Sequence, residues 1–544
     1  MSPRSVRQLC WMVLSGALGC GGSSPSGATP SPAGSQAQAV AGMSGAPEAG
    51  SGDTALAAGG GAGTPAALGG DGPVVAAGAE APAGAGAVAG TGGARSAAGA
   101  SGAAGSGGAA GAPAAQADLP PGVTALFPGP NARDVCADAP LQLGFPSAPR
   151  LGTSGKIQVR KASGEVVATV DLAAQRGTQM IDGTSYNVAQ RAFVNGNDVT
   201  FVLPPGALAW GQSYTVSIDA GAIAVGGTAF KLPSADAWRF STAPAAPSGG
   251  ATLRVALDGS GAYCSLQAAF DAIPARNASP VTIELGAGKY YGIVHLGGKS
   301  QVTLRGADRK RTIIAGINND SLNAGTAKRA LFGVDDVRGL IIEHLTVHNL
   351  TPQGGSQAEA LRMQRCEECV VRDADILSLQ DTLLWSGRIY ARNCLIAGNV
   401  DFVWGTGTAY FDRCEIRTVG RAGYIVQARN DASHYGYVFV DSKLTSDPGL
   451  TGNVLARVDS SVYPASHVAF IDCQMDKHIS AAAWVVTGGG TAQIRYWEYQ
   501  SKDLAGQPLD VSRRLAGSKQ ISAAQAAMMR DPTVVLGGWQ PPMQ

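Results

Sequence analysis

A strand motif that recurs six times between residues 251 and 544 constrains the fold more than any other feature of the chain. Each copy is an apolar run, a polar pair, a small residue and a further aliphatic residue. Successive copies lie 29, 20, 20, 28 and 31 residues apart. A constant strand motif with connections of variable length predicts an all-β solenoid, a parallel β-helix, because insertions can be confined to loops on one side. The small position of each copy is occupied by Leu345 (a larger variant), Ala374, Cys394, Cys414, Ser442 and Cys473.

The cysteines of this motif are expected to form a buried stack of thiols. No histidine lies at a matching position, which argues against a catalytic role for Cys394, Cys414 or Cys473. The chain has nine cysteines, two of them in the first 20 residues, and the odd remainder argues against a fully paired disulfide framework. Cys366 and Cys369 form an isolated CxxC, for which we expect a local disulfide or two buried thiols rather than a zinc site.

Residues 1–20 have the organisation of an export signal. A basic region with Arg4 and Arg7 precedes the apolar run Leu9–Leu18, which is too short to span a bilayer. The run leads into Ala17-Leu18-Gly19-Cys20, which resembles a bacterial lipoprotein cleavage box. We therefore expect lipidation at Cys20 and a place in the cell envelope or on the outer-membrane surface. Ordinary signal cleavage followed by secretion is the alternative.

Two further regions lie between the signal and the solenoid. Residues 21–116 are dominated by Gly, Ala, Ser and Pro and contain no aromatic residue and no lysine, so they cannot bury enough apolar surface to offset the entropy of ordering. We expect a disordered linker there. Residues 117–243 carry short alternating runs such as Lys156–Val159 and Tyr214–Ile218, which predict a small β-sandwich. This region loosely resembles bacterial Ig-like modules and is expected to be a spacer or docking domain.

The composition excludes some classes of function. The net charge is +1, so the chain lacks the excess of basic residues that binding to nucleic acid requires. We expect contact with a membrane only through the N-terminal anchor. No cofactor and no metal site are implied, and we expect a monomer.

Two aspartates carry the chemistry that the sequence predicts. Asp381 and Asp401 are 20 residues apart, about one coil, so their carboxyl groups are expected to be neighbours. Neighbouring carboxyls in unlike surroundings divide into an acid and a base or nucleophile. Gln380 is adjacent to Asp381, and Gln357 lies 23 residues before Gln380, again about one coil. Such a patch supplies the nucleophile, proton donor and oxyanion donors of an ester hydrolase.

Residues 251–500 resemble the pectinesterases, or pectin methylesterases. That resemblance implies a right-handed parallel β-helix and hydrolysis of the methyl esters of polygalacturonate, with methylated pectin as the polysaccharide substrate. The motifs that carry it are Asp258-Gly259-Ser260-Gly261, Leu266-Gln267-Ala268-Ala269, Gly288-Lys289-Tyr290, Gln357-Ala358-Glu359-Ala360-Leu361, Gln380-Asp381-Thr382-Leu383, Asp401-Phe402-Val403-Trp404-Gly405 and Leu455-Ala456-Arg457.

The resemblance also implies roles for single residues. Asp401 would be the nucleophile, and Asp381 would protonate the leaving methoxide and then activate water. Arg457 would pair with Asp401 and orient it. For Asp381 and Asp401, capping of a turn is the alternative reading.

The same resemblance suggests the groups that would bind the substrate. Gln357 and Gln380 would hold the oxyanion. Trp404 and Trp385 are candidates to line the sugar groove, with plain packing as the alternative.

The chain departs from the family pattern at two places. Gly292 stands where the family has a glutamate, and Arg457 is followed by Val458 and Asp459 instead of proline and tryptophan. The missing tryptophan leaves open a different esterase or an acyl thioesterase on the same scaffold. A non-catalytic glycan-binding surface protein is a third hypothesis.

Overall fold

The structure is a computed structural model that describes residues 119–542. The predicted signal, the lipidation residue Cys20 and the predicted linker 21–116 lie outside the described residues. Those that are described belong to one compact unit. None of the helices between residues 119 and 542 is of sufficient length and hydrophobicity to cross a membrane.

Residues 119–242 form a mainly antiparallel β domain in the region where a sandwich was predicted. Its strands make a four-stranded, a five-stranded and a three-stranded sheet and a separate hairpin. The strands are β1 Ala125–Phe127, β2 Ala132–Val135, β3 Leu141–Gly144, β4 Pro149–Leu151, β5 Lys156–Lys161, β6 Val166–Asp171, β7 Gly177–Ile181, β8 Thr184–Val188, β9 Ala192–Asn195, β10 Asp198–Phe201, β11 Ser213–Ile218, β12 Ile223–Val225, β13 Thr228–Ala229 and β14 Arg239–Thr242.

One hydrophobic core unites most of this domain. Trp238 is fully buried in it and donates its indole N–H to the Pro128 carbonyl oxygen at 2.8 Å. The Tyr214 hydroxyl accepts from the Ala209 N–H at 2.7 Å, five residues upstream, which is the tyrosine-corner arrangement of many Ig-like sandwiches. The Ig-like assignment stays a prediction.

From residue 252 onward the chain winds into a parallel β-helix, as predicted. Its two large sheets have 17 and 8 strands, and their strand pairs are parallel. The strands are β15 Thr252–Val255, β16 Val281–Leu285, β17 Gly288–Tyr291, β18 Val294–Gly297, β19 Val302–Gly306, β20 Thr312–Gly316, β21 Phe332–Asp335, β22 Ile341–Glu343, β23 Thr346–Asn349, β24 Leu361–Arg372, β25 Asp375–Leu377, β26 Leu383–Arg392, β27 Leu395–Gly398, β28 Val403–Gly405, β29 Thr408–Asp412, β30 Glu415–Thr418, β31 Tyr424–Ala428, β32 Tyr437–Val440, β33 Lys443–Ser446, β34 Val454–Asp459, β35 His467–Ile471, β36 Gln474–Met475, β37 Trp484–Thr487, β38 Arg495–Tyr499 and β39 Lys519–Gln520.

Three short helices accompany the solenoid: α1 Leu266–Ala272, α2 Ala523–Met529 and α3 Pro532–Val535. Helix α1 begins at the N-cap Ser265, whose hydroxyl accepts from the Ala268 N–H, and it buries Phe270 against the first coils. Helix α2 begins with a reciprocal capping box between Ser522 and Gln525.

The register between coils is the one that the recurring motif predicts. Cys369 pairs with Ile389, Ile389 with Ala409, Ala409 with Tyr437 and Tyr437 with Val468. The residue immediately before the small position of each copy has φ between 49° and 56°, at His344, Asp373, Asn393, Arg413, Asp441 and Asp472. This left-handed conformation turns the chain from one sheet to the next and is most readily adopted by Asn, Asp and His among non-glycine residues.

The interior stack contains the predicted buried thiols. Cys394, Cys414 and Cys473 are buried and free, and burial raises the pKa of Cys414 and Cys473. Cys366 and Cys369 are also free and buried, so the buried-thiol alternative is confirmed and the local disulfide is wrong.

A disulfide joins the two folded regions. Cys136 in the β domain is bonded to Cys264, immediately before helix α1. Asp138 accepts from the N–H groups of Cys264 and Ser265 at the same junction. Within residues 119–542, Cys136, Asp138 and Cys264 are the one His/Cys/Asp/Glu cluster of metal-binding dimensions, and its thiols are consumed by the disulfide.

Candidate active site

Asp381 and Asp401 occupy equivalent positions on successive coils. Gln380 and Val400 form a parallel bridge, and the Asp381 N–H donates to the Val400 carbonyl oxygen at 2.9 Å. Both aspartates have positive φ, 63° and 47°. Each therefore lies at a bend of the chain shortly before a strand, Asp381 before β26 and Asp401 before β28. Neighbouring strands are about 4.8 Å apart, which makes the two side chains neighbours. Their exposed fractions are only 8% and 6%.

Arg457 binds Asp401 with both of its forked nitrogens. Its Nε donates to Asp401 Oδ1 at 2.8 Å, and its Nη2 donates to Oδ2. The guanidinium group also lies 4.3 Å from the ring centroid of Tyr424. A bidentate pair fixes the plane of the carboxylate, and the arginine itself remains partly exposed.

Asp381 belongs to a buried network that the sequence motifs did not reveal. Arg329 Nη2 donates to Asp381 Oδ2 at 2.9 Å, and the same guanidinium binds Glu359 at 2.8 to 3.0 Å. Glu359 has an exposed fraction of 0%. Arg329 also contacts Asp320 at 3.3 Å. One cation therefore serves two buried carboxyls beside the predicted site.

The electrostatic surroundings separate Asp381 from an ordinary aspartate. Burial raises its pKa well above the usual value, and the neighbouring Glu359 and Asp401 carboxyls raise it further, while Arg329 and Arg429 oppose the change. Burial also raises the pKa of Glu359, against the pull of Arg329. Asp381 is thus suited to retain a proton at a pH where exposed aspartates have lost theirs.

The coil register could have revealed Glu359. Leu361 pairs with Leu383, and Leu383 pairs with Val403. Glu359, Asp381 and Asp401 each stand two residues before these paired strands, so they form a ladder of three carboxyls. Arg329 could not be found in this way because it lies in a turn outside the strand motif.

Gln357 and Gln380 are close to each other and half-buried, as an oxyanion site would need. The Ala358 N–H donates to the Gln380 carbonyl oxygen at 3.1 Å, which joins the two coils at this point. The Gln357 side chain accepts from the Ser356 hydroxyl at 2.9 Å. This bond occupies the amide oxygen and leaves the amide N–H donors for another acceptor.

The prediction that Trp385 lines a sugar groove is wrong. Its side chain is 1% exposed and stacks on Phe411 inside the solenoid, with ring centroids 5.4 Å apart. The alternation of a strand explains the result, because Leu383 and Trp385 point inward and Leu384 between them points outward.

Trp404 points outward from the next coil, but only 6% of it is exposed. The guanidinium groups of Arg429 and Arg329 lie 4.6 and 5.6 Å from its ring. Its ring therefore packs against two arginines, one of which also binds Asp381, and its contact with a sugar stays a prediction. Half-buried aromatic surface nearby comes from Tyr424 and from Tyr463, whose ring lies 5.5 Å from Arg429.

The two departures from the family pattern have local structural consequences. Asp459 is exposed, and hydrogen bonds from Ser461 lower its pKa and hold it in a turn. Gly292 has φ of 135°, a conformation that side chains disfavour, so a glutamate there would be strained.

Comparisons with known proteins identify the relatives of this chain. The family model described as Pectinesterase matches residues 252–534. The chain is 32% identical over 207 residues to Pectinesterase 31 of Arabidopsis thaliana, covering 36% of this chain and 65% of that protein, slightly under two thirds. It is 30% identical over 245 residues to Probable pectinesterase 56 of Arabidopsis thaliana, covering 43% of this chain and 84% of that protein.

The chain is also similar to solved structures. The pectin methylesterase from carrot has 25% sequence identity and a TM-score of 0.48, with 53% of this chain and 93% of that chain covered. The family match extends over more than half of the sequence and includes both aspartates, Arg329, Glu359 and Arg457. The chain therefore belongs to the pectinesterase family of carboxylic ester hydrolases.

Proposed function

We propose that this pectinesterase removes methyl esters from methyl-esterified polygalacturonate, with Asp401 as nucleophile and Asp381 as general acid and base. The observation that carries the proposal is the unlike setting of two adjacent carboxyls. Asp401 is held by Arg457 through both oxygens, whereas Asp381 is buried beside Glu359, which raises its pKa. Such a pair divides the two roles that ester cleavage requires.

In the first half of the reaction an Asp401 oxygen attacks the ester carbonyl carbon. The carbonyl oxygen becomes an oxyanion, for which the amide N–H groups of Gln357 and Gln380 are the donors. The tetrahedral intermediate collapses with cleavage of the carbon–methoxy bond. Asp381 gives its proton to the departing oxygen, so methanol leaves and an acyl-enzyme anhydride remains on Asp401.

In the second half of the reaction water attacks the acyl-enzyme, and Asp381 accepts a proton instead of donating one. The Asp381 carboxylate takes one proton from water as the oxygen attacks the acyl carbon. The bond to Asp401 breaks, which restores its carboxylate and releases the galacturonic acid. That acid loses its remaining proton to solvent, and Asp381 is again protonated for the next cycle.

A methanol assay on the full-length chain tests this proposal. We expect methanol from highly methylated pectin. The departure at Asp459 favours a second candidate, a different esterase or an acyl thioesterase, because this residue adds negative charge where the family has an aromatic residue. Activity on acyl thioesters without methanol release would favour that candidate. Tight polysaccharide binding that survives Asp381→Asn, without hydrolysis of any ester, would favour the non-catalytic alternative.

Glu359→Gln is expected to shift the pH dependence of methanol release. The groups facing Asp381 are Glu359, Asp401, Arg329 and Arg429. Removal of the Glu359 charge lowers the pKa of Asp381, so the acid form is lost at a lower pH. The alkaline limb of the plot of kcat against pH should therefore move to lower pH. At neutral pH and above, kcat should be about tenfold lower than that of the wild type. An unchanged profile in a folded variant would contradict the role assigned to Asp381.

We also propose that the chain is exported and anchored by acylation at Cys20, which agrees with an extracellular polysaccharide substrate. Export as a lipoprotein rests on the cleavage-box residues alone. Cells supplied with labelled fatty acid should label the wild-type chain and not Cys20→Ala. Labelling of both chains, or of neither, would reject lipidation at this residue.

A further inference from the structure

The hairpin β7–β8 leaves the sheets of its own domain and docks on the β-helix. It forms a separate two-stranded sheet. The Asn187 N–H donates to Asn323 Oδ1 at 2.8 Å, and Asn323 Nδ2 donates back to the Asn187 carbonyl oxygen at 2.9 Å. Asn187 Nδ2 also donates to the Leu322 carbonyl oxygen at 2.7 Å. Because Asn323 is buried, this reciprocal pair fixes the hairpin to the turn that carries Lys328 and Arg329.

A second contact continues from the hairpin onto the outer face of the large sheet. His295 lies between Asp182 of the hairpin turn, at 3.1 Å, and Asp335 of strand β21, at 2.8 Å. Arg362 binds both oxygens of Asp335 at 2.7 and 2.8 Å. Burial opposes the charge on Asp335, but His295 and Arg362 outweigh it and hold its pKa at about 2. The contact is therefore a charged network of defined geometry.

The network lies in the same row of side chains as Trp404, which is three residues after Asp401. His295 pairs with Gly333, Gly333 with Arg362, Arg362 with Leu384 and Leu384 with Trp404. Arg362 is therefore two strands from Trp404, about 10 Å along the solenoid. A polymer lying along this row away from Asp401 meets the docked hairpin.

Lys328 is a cation on the solenoid turn to which the hairpin is fixed. Its Nζ lies 5.7 Å from the ring centroid of Tyr186, which is buried on strand β8. Among residues 119–542 no carboxylate lies within ion-pair distance of this ammonium group, whereas the adjacent Arg329 is engaged by Glu359 and Asp381. A cation placed over an aromatic ring keeps its charge while its position is restricted.

We propose that the β7–β8 hairpin is the end wall of the substrate groove and that Lys328, held against Tyr186, binds the free carboxylate of a de-esterified galacturonate. This inference rests on the proposed function, because the carboxylate is the product of the same reaction. A methyl ester near an already hydrolysed residue would then be the preferred target, since only the free acid pairs with an ammonium group. The β domain thereby becomes part of the specificity of the enzyme.

Lys328→Met tests the charge. On partly de-esterified pectin we expect KM to rise about tenfold with kcat little changed, and on fully methylated pectin we expect little change in either. Lys443→Met is the matched control, because Lys443 is an exposed lysine on strand β33 of the other sheet. Added salt should raise KM of the wild type toward that of the variant. Equal KM values for wild type and Lys328→Met on partly de-esterified pectin would overturn the proposal.

Tyr186 variants and a binding measurement distinguish the contribution of the hairpin to substrate binding from the catalytic step. Calorimetry with de-esterified oligogalacturonate and the Asp401→Asn chain should give binding that Lys328→Met weakens about tenfold. Tyr186→Phe keeps the ring and should retain the affinity, whereas Tyr186→Leu should lose it. An affinity that neither Lys328→Met nor Tyr186→Leu lowers would reject the subsite. Failure of the wild type to release methanol from any pectin would instead reject the proposed function.

Discussion

Asp401→Asn is expected to lower kcat for methanol release by at least about a thousandfold, because an amide cannot act as the nucleophile. The substitution keeps the volume of the side chain at a position that is 6% exposed. Arg457 loses its ion pair but remains partly exposed to water, so the loss of stability should be small. Initial rates on highly methylated pectin, with unfolding temperature as the check on folding, measure the effect.

A buried aspartate elsewhere in the solenoid provides the control. Asp375 is also buried and paired with cations, with Arg309 Nε at 2.6 Å and Lys310 Nζ at 2.5 Å. It lies on the eight-stranded sheet, away from the site. Asp375→Asn should keep kcat within about twofold of the wild type, whatever it costs in stability. Substantial methanol release by Asp401→Asn would show that another group attacks the ester.

Arg329→Met is expected to destabilise the fold by about 3–5 kcal/mol, because it leaves Glu359 and Asp381 buried without their cation. The size of this effect depends on pH. Removal of Arg329 raises the pKa of both carboxyls in the folded state still further above their unfolded values. The folded state then holds protons that the unfolded chain has released, so the variant should lose stability as pH rises above the ordinary carboxyl range.

Urea unfolding of wild type and Arg329→Met at about pH 5 and about pH 8 measures this difference, which should be larger at the higher pH. Arg329→Met combined with Glu359→Leu should recover part of the loss, because an apolar pair replaces an unpaired buried charge. Equal stability of Arg329→Met and wild type at both pH values would mean that Arg329 does not stabilise the charged forms of these two carboxyls.

The repeating strand motif determined the solenoid and the pairing of its coils. An interior that stacks equivalent residues requires the same apolar and small positions in each coil, whatever the length of the loops between them. That repetition predicted the pairing of Cys369, Ile389 and Ala409 in the correct register. The spacing of one coil length likewise predicted that Asp381 and Asp401 lie on neighbouring coils.

The sequence pattern could not assign an orientation or a role to residues outside the repeated positions of the strand motif. Trp385 and Trp404 each follow an aspartate closely, yet Trp385 points inward and Trp404 points outward. Successive side chains of a strand alternate between its two faces, and Trp404 pairs with Leu384, the neighbour of Trp385. Glu359 was visible within a matching motif but had no recognised role, since its effect depends on Arg329, 30 residues earlier.

The sequence by itself therefore determined the repeating framework and its two central carboxyls, because both follow from local periodicity. Only the tertiary structure decided which cation balances Asp381, which cysteine Cys136 bonds to, and where the β7–β8 hairpin lies on the solenoid. These contacts join turns and loops that have no common period, so their geometry is set by packing between distant segments.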